Sequence, residues 1–309
     1  MRQAAMRGAV GAVVAACAAF AASAQTLSYK DIPAYDPPAP LQLEAEALRQ
    51  WDAPEARQGA AASDDSIYAI VNHVIGRYDK ASGELLARWT GPRNGQVRHL
   101  NSCYVDDDRL LCANSNHPQV PMASSVEIFD AQTLDPVESH SLGIMDEGSL
   151  VWFDRIGWRG EPAWIVGFAH YNDETGLPFK TNAYAGVHVF DEAWRRMGGW
   201  MLPDALVDRM APQAASGGAI GPDGFLYVMG HDQPEMYVLA RPAMGPKLVH
   251  VATIAVEAEG QAFAFGPGEG RTVYAISRPN AQVRSFRLPA ISADAVTAAD
   301  GRPFDRWAD

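Results

Sequence analysis

Four of the eight histidines stand at one recurring place, just past a short apolar run. Asn72-His73 follows IYAIV, Asn114-Ser115-Asn116-His117 follows LLCA, Phe168-Ala169-His170-Tyr171-Asn172 comes after AWIV, and Gly230-His231-Asp232 comes after LYVM. A fifth run, VYAI, leads into Ser277-Arg278. Imidazole is the commonest borderline-soft metal ligand and the side chain that titrates near neutral pH, so a ring of them suits a divalent metal or a proton-transfer site. On this basis His73, His117, His170 and His231 are expected to hold a divalent metal or to act as acid/base groups, His170 and His231 above all. Arg278 is expected to bind an anionic group of the substrate. The plainer alternative is that a repeat propagates a turn residue, each imidazole serving only its own turn.

A second set of polar residues precedes small-residue segments: Gln58, His99, Asn101, Glu147, Ser149, Ser216, Glu259 and Gln261. Of these, Gln58, His99, Asn101 and Gln261 are expected to bind substrate. Glu147 and Glu259 each precede Gly and could form the acid and nucleophile of a glycosidase, or hold Ca²⁺ with Asn101 and Gln261. They could equally hydrogen-bond to neighbouring backbone N–H groups. No His-Glu-x-x-His, Gly-x-Ser-x-Gly, phosphate loop or dinucleotide fingerprint occurs, so no nucleotide cofactor is expected.

The elements that must carry these residues emerge when the chain is laid against itself. Segments Ile75–Asp79, Val126–Asp130, Val187–Asp191, Met236–Ala240 and Val283–Leu288 correspond to one another, and each is preceded by one of the five apolar runs. Before those runs lie small-residue strands: Gly59–Ala62, Asn101–Val105, Gly148–Phe153, Gly217–Ile220 and Gln261–Phe265. Glu46–Pro54 (EALRQWDAP) parallels Glu84–Pro92 (ELLARWTGP) yet has no partner strands of its own. An orphan outer strand at the N-terminus is what closure of a ring of blades requires, because it leaves no blade edge unpaired. The expected fold is therefore all-β: one five-bladed β-propeller over residues 40–290, four strands per blade, closed by an N-terminal strand. Residues 25–39 read as an extended arm, 291–309 as an irregular tail, and Asp204–Met210 as one short helix between blades three and four.

Calling the strands of a blade a to d from the axis outward, the d–a and b–c connections share one face and the a–b and c–d turns share the other. Asp64-Asp65, Asp106–Asp108 and Pro222-Asp223-Gly224 then fall on the a–b face as turn residues. The histidines fall on the opposite one. Trp152, Trp158, Trp164, Trp194 and Trp200 are read as packing between blades rather than as a sugar platform.

The chain has 309 residues, 48% of them hydrophobic and 20% charged, with a net charge of −12. That balance argues against nucleic acid and anionic lipid as partners. Arg2 and Arg7, an apolar stretch from Gly8, and Ala22-Ser23-Ala24 have the pattern of a signal peptide over residues 1–24, which implies a periplasmic or secreted protein. Val14-Ala15-Ala16-Cys17 offers the rival of a lipid anchor at Cys17, and no transmembrane segment is expected. Cys103 and Cys112 flank the turn Asp106–Asp108, where a hairpin would set them face to face, either as a disulfide or as two buried thiols.

The strings His99-Leu100-Asn101-Ser102-Cys103-Tyr104-Val105 and Pro121-Met122-Ala123-Ser124-Ser125-Val126-Glu127 resemble a group of exported bacterial β-propeller proteins, a likeness that implies fold and export and no particular activity. More remotely the architecture is similar to propeller lactonases and cycloisomerases and to five-bladed glycosidases, whose sites sit at the channel mouth. Together these point to an exported hydrolase or lyase acting on a small lactone, ester or sugar derivative. The alternatives are a non-catalytic propeller binding a ligand or protein on the same face, and the Glu147/Glu259 glycosidase.

Overall fold

The computed structural model describes residues 37–268 and 270–307. The expected leader, Cys17 and most of the N-terminal arm lie outside the described residues.

Five antiparallel sheets of four strands form the blades of a propeller. Blade one runs Gly59–Ala62, Ser66–Val71, Val74–Asp79 and Leu85–Thr90, and blade two His99–Asp106, Arg109–Ser115, Ala123–Asp130 and Pro136–Ile144. Blade three runs Ser149–Trp158, Glu161–Ala169, Gly186–Asp191 and Arg196–Met201. Blade four has Gly217–Ile220, Leu226–Met229, Glu235–Pro242 and Val249–Ala255. Blade five has Ala264–Phe265, Thr272–Ser277, Gln282–Arg287 and, from the far end of the chain, Glu46–Asp52.

That last pairing closes the ring. Glu46 is in register with Arg287 and Asp52 with Gln282. The same two rungs carry side-chain bonds, Arg287 Nη1 to Glu46 Oε2 at 3.0 Å and Gln282 Nε2 to Asp52 Oδ1 at 2.9 Å. Trp51 of this strand donates its indole N–H to the Lys80 carbonyl of blade one at 3.0 Å. Trp89, at the matching place in blade one, packs edge-on to Phe129 of blade two with centroids 4.8 Å apart. Each closing tryptophan thus faces the next blade, where its large apolar area is removed from water.

The inner strands are lined by small residues because five blades leave little room at the axis. A Cβ on Gly217 would stand 2.6 Å from the Ala262 Cα and the Gln261 carbonyl oxygen, and one on Gly59 would be 2.8 Å from the Asn101 carbonyl oxygen. Farther out, aromatic and branched side chains fill the spaces between blades.

Two features go beyond the sequence-based expectation. Leu41–Glu44 adds a parallel strand to the outer edge of blade four. The tail, expected to be irregular, contains a helix at Ala293–Ala298 and a short strand, Gly301–Arg302, paired with Glu235–Pro242. Of the two expected alternatives for Cys103 and Cys112, the structure has the disulfide, between cross-strand partners. The helix Asp204–Met210 lies where the sequence puts it. No helix among the described residues is long and apolar enough to cross a membrane.

Candidate functional site

The d–a and b–c connections converge on one mouth of the central channel and enclose a hollow of about 70 Å³. Gln58, His99, Asn101, Gln213, Ser216 and Gln261 reach it from the approaches to or the first residues of the inner strands, and His117, Tyr171 and His231 from the b–c connections. The connections fold inward because each is clamped. Asn114 Oδ1 accepts the backbone N–H groups of Arg98 and His99 at 3.0 and 3.1 Å, which sets His99 at the strand entry. Asn116 accepts the Ala123 N–H and donates to the Pro121 carbonyl, both at 2.9 Å, and so folds the loop carrying His117 back on itself. Next to Tyr171, Asn172 Oδ1 accepts the Asn182 N–H at 2.7 Å, while Asn182 Nδ2 donates to the Val207 and Gln213 carbonyls. The long loop of blade three is thereby tied to the helix and to the segment bearing Gln213.

Within the hollow the His99 and His117 rings lie 4.7 Å apart between centroids, and His117 meets Tyr171 edge-on at 5.0 Å. Burial, with smaller contributions from His117 and His231, pushes His99 down to about 3. Burial also lowers His117, against the pull of Asp173, and raises the Tyr171 phenol to about 12. At neutral pH these groups are two uncharged imidazoles and a protonated phenol, a lining that hydrogen-bonds without net charge.

His231 differs. Its Nδ1 stands 2.7 Å from Asp232 Oδ1. Burial alone would raise the Asp232 carboxyl, but hydrogen bonds from Arg278 and His231 hold it below the usual carboxylate range. An ionised carboxylate on Nδ1 fixes the Nδ1–H tautomer and makes Nε2 the acceptor nitrogen of the ring. Arg278 Nη2 donates to Asp232 Oδ1 at 2.7 Å and to the His231 carbonyl, and its Nη1 is 3.5 Å from His231 Nε2. Arg278, expected to bind substrate, is engaged as a brace for this pair.

Two buried polar atoms on residues of the hollow have no partner among the described residues: Gln58 Oε1, an acceptor, and Asn101 Nδ2, a donor. Buried polar groups are almost always satisfied, so an orphaned pair facing one small hollow marks a place shaped for something else.

The remaining expected residues do not gather here. His73 is half-buried at the edge of blade one, its carbonyl accepting the Gly91 N–H at 2.8 Å. His170 is buried at 1% exposure beside Tyr184, its ring pushed down by burial and by Lys180. In blade three it is the next residue, Tyr171, that turns into the hollow. His73, His117, His170 and His231 are therefore not brought together as one ligand set, and among the described residues no three His, Cys, Asp or Glu are grouped to hold a metal. Glu147 faces Arg196 at 3.6 Å, and Glu259 lies by Arg278, which donates to its carbonyl at 3.3 Å. Neither carboxylate borders the hollow.

Tyr171 and Gln213 were not singled out from sequence. Tyr171 stands inside the blade-three string, but a repeat of histidines draws the eye to its neighbour. Gln213 belongs to an insertion with no counterpart in other blades. Asp154, also unforeseen, lies at the other end of the inner strands in a hollow of about 150 Å³ with Tyr104, Ile220, Phe265 and Arg306. Burial raises its carboxyl to about 6 although it accepts the Ile220 and Arg155 N–H groups, each at 2.7 Å.

No protein-family model and no curated protein matches the chain. Among solved structures it is similar to the β-propeller domain of Cps50 (Swd1) from Myceliophteria thermophila, with TM-score 0.40 and 8% identity over 75% of this chain and 84% of that one. It is also similar to the hydrazine synthase of Kuenenia stuttgartiensis, with TM-score 0.40 and 14% identity over 74% and 69%. The WD40 β-propeller domain of Doa1 gives TM-score 0.41 and 9% identity over 79% and 97%. No site residue is carried over from any of them.

Proposed function

We propose that the chain is an exported enzyme, a hydrolase or lyase that binds a small oxygenated substrate such as a lactone or ester in the His99/His117/His231 hollow. The orphaned acceptor and donor, Gln58 Oε1 and Asn101 Nδ2, carry this reading. A hydroxyl of the substrate satisfies the first and a carbonyl oxygen the second, so one bound substrate pairs both. The neutral imidazoles of His99 and His117 and the Tyr171 hydroxyl complete a polar lining. His231 acts as the proton-transfer group, its tautomer set by Asp232, and Asp232 is held by Arg278. In a hydrolase His231 Nε2 takes a proton from the attacking water; in a lyase it takes one from carbon next to the substrate carbonyl that Asn101 polarises.

The test is a screen of lactones and aryl esters, with and without EDTA, on wild type, His231→Gln and Asn101→Leu. Turnover lost about 10²-fold in His231→Gln with substrate affinity retained supports the proposal. Binding that Asn101→Leu abolishes, without turnover in any variant, would instead make the propeller a non-catalytic binding module. Equal behaviour of all three proteins would remove the hollow from consideration.

A further inference from the structure

Four large apolar side chains stand exposed on the channel-mouth face: Val120, Ile144, Phe179 and Tyr184. All four belong to blades two and three. Val120 is in the b–c connection of blade two, which also carries His117, and Phe179 and Tyr184 are in that of blade three, which carries Tyr171. Ile144 ends the outer strand of blade two where it reaches the mouth. The two b–c connections meet at the wall of the hollow, where His117 and Tyr171 pack edge-on. The other exposed large apolar side chains among the described residues, Met244 of the blade-four c–d turn apart, lie along outer strands.

Hydrogen bonds hold the four in one patch. Ile144 is in register with Ala123, and Met145 donates its N–H to the Met122 carbonyl at 3.3 Å, which brings Ile144 beside the connection bearing Val120. Lys180 donates its ammonium to the Asp146 carbonyl. That bond pins the tight turn closed by the Lys180 N–H on the Leu177 carbonyl, at 3.1 Å, against the segment that follows Ile144. Phe179 sits in this turn at 71% exposure, a setting where small polar residues are the rule. The Lys180 ammonium also lies 6.0 Å from the centre of the Tyr184 ring.

Exposed apolar surface gathered at a polar site marks a place where apolar matter docks. The hollow itself, at about 70 Å³, is far below the roughly 300–1,000 Å³ of pockets that enclose a whole small-molecule ligand. It takes a head of a few atoms, and the rest of the substrate must leave across the rim. Toward blades four and five that rim is charged, with Asp232 60% exposed and paired to Arg278. Toward blades two and three it is the apolar patch. Building on the hollow as a substrate site, we infer that the substrate is amphiphilic: an oxygenated head enters among His99, His117 and His231, and a linear alkyl chain attached to it lies over Ile144, Phe179 and Tyr184. Each methylene covered by these side chains strengthens binding, so affinity climbs with chain length.

Calorimetric titration with γ-valerolactone and γ-decalactone, which share a head and differ only in the length of the alkyl chain, tests this in His231→Gln, where the head is bound and not turned over. The longer lactone is expected to bind about tenfold more tightly or better. Adding Ile144→Ser and Phe179→Ser, both at exposed positions, should erase that preference and leave the affinity for γ-valerolactone unchanged. Asn101→Leu should weaken both lactones alike. A preference that survives Ile144→Ser and Phe179→Ser overturns the inference and leaves the hollow standing as a substrate site. A preference erased by them, with both affinities indifferent to Asn101→Leu, sustains the alkyl-binding surface and removes the head from the hollow. Failure of γ-decalactone to bind overturns the inference outright. Sedimentation velocity and flotation with phosphatidylcholine vesicles address the other occupants: self-association or vesicle binding that the two serine substitutions abolish would assign the patch to a second copy or to a membrane, and would overturn it.

Discussion

His231 Nδ1 lies 2.7 Å from Asp232 Oδ1, and the same carboxylate oxygen accepts Arg278 Nη2 at 2.7 Å. The imidazole is thus oriented by an adjacent residue that is itself fixed from the neighbouring blade. Asp232 is a positioning residue: it sets the tautomer and does not reach the hollow. Asp232→Asn should lower kcat about tenfold with KM little changed, because the Nδ1–H tautomer is no longer fixed by a carboxylate. Steady-state kinetics on the substrate found by the screen would show this. An unchanged kcat would mean that Asp232 only anchors Arg278.

Five imidazoles are pushed below their ordinary range chiefly by burial: His99 to about 3, His188 to about 4, and His117, His170 and His250 by direction. The native state keeps them neutral while the unfolded chain protonates them below about pH 6.5, so the unfolded state binds more protons and stability must fall as pH drops through that value. Asp154 works in the opposite sense. With its carboxyl raised to about 6, its contribution is lost as pH rises from the ordinary carboxylate value to there. Five groups against one give a net loss on acidification. Urea midpoints should decrease from pH 7.5 to 5, with His99 alone contributing at most about 2 kcal/mol. His99→Gln should flatten the curve, and a midpoint unchanged across that range would refute the argument.

The blade pattern was legible because closure leaves a sequence trace. Glu46–Pro54 repeats Glu84–Pro92 without its own b and c strands, and only a ring makes sense of such an orphan. The sharing of one face by the b–c and d–a connections was legible for the same reason, since strand direction alternates outward from the axis. Which residue of a connection turns inward was not. His170 and Tyr171 are adjacent, and the choice between them depends on Asn172 and Asn182 clamping a long loop to the helix insertion, contacts up to 31 residues apart in sequence. Arg278 was placed on the correct rim but given to substrate, because its partner Asp232 lies 46 residues away on another blade. Leu41–Glu44 is not legible because four residues alternating apolar and polar say nothing of a parallel partner at Ala252–Ala255.

Cys103 and Cys112 close a hairpin across the turn at Asp106–Asp108 and sit in the core between blades one and two. Cross-linking a loop of this length restricts the unfolded chain by roughly 2–3 kcal/mol in the chain-entropy account. Equilibrium urea unfolding with and without dithiothreitol should show a loss of that size. The m-value should rise in the reduced protein as its unfolded state expands. Identical midpoints would mean that packing around the two sulfurs outweighs the cross-link.

The indole of Trp152 fills the space that side chains at two glycines would need. A Cβ on Gly167 of its own blade would lie 2.1 Å from the ring, and one on Gly218 of blade four 2.4 Å. Trp152 is 1% exposed, so the ring is a wedge between the inner strands of blades three and four. Gly218→Ala should destabilise by about 1–3 kcal/mol through overpacking, since neither backbone nor a buried indole can withdraw. Trp152→Ala should lose about 3–5 kcal/mol by leaving a cavity. The double variant should be less destabilised than the sum of the two, because the added methyl then occupies vacated space. Thermal unfolding of the three proteins gives the coupling directly, and strict additivity would show that ring and glycine are not in the contact described.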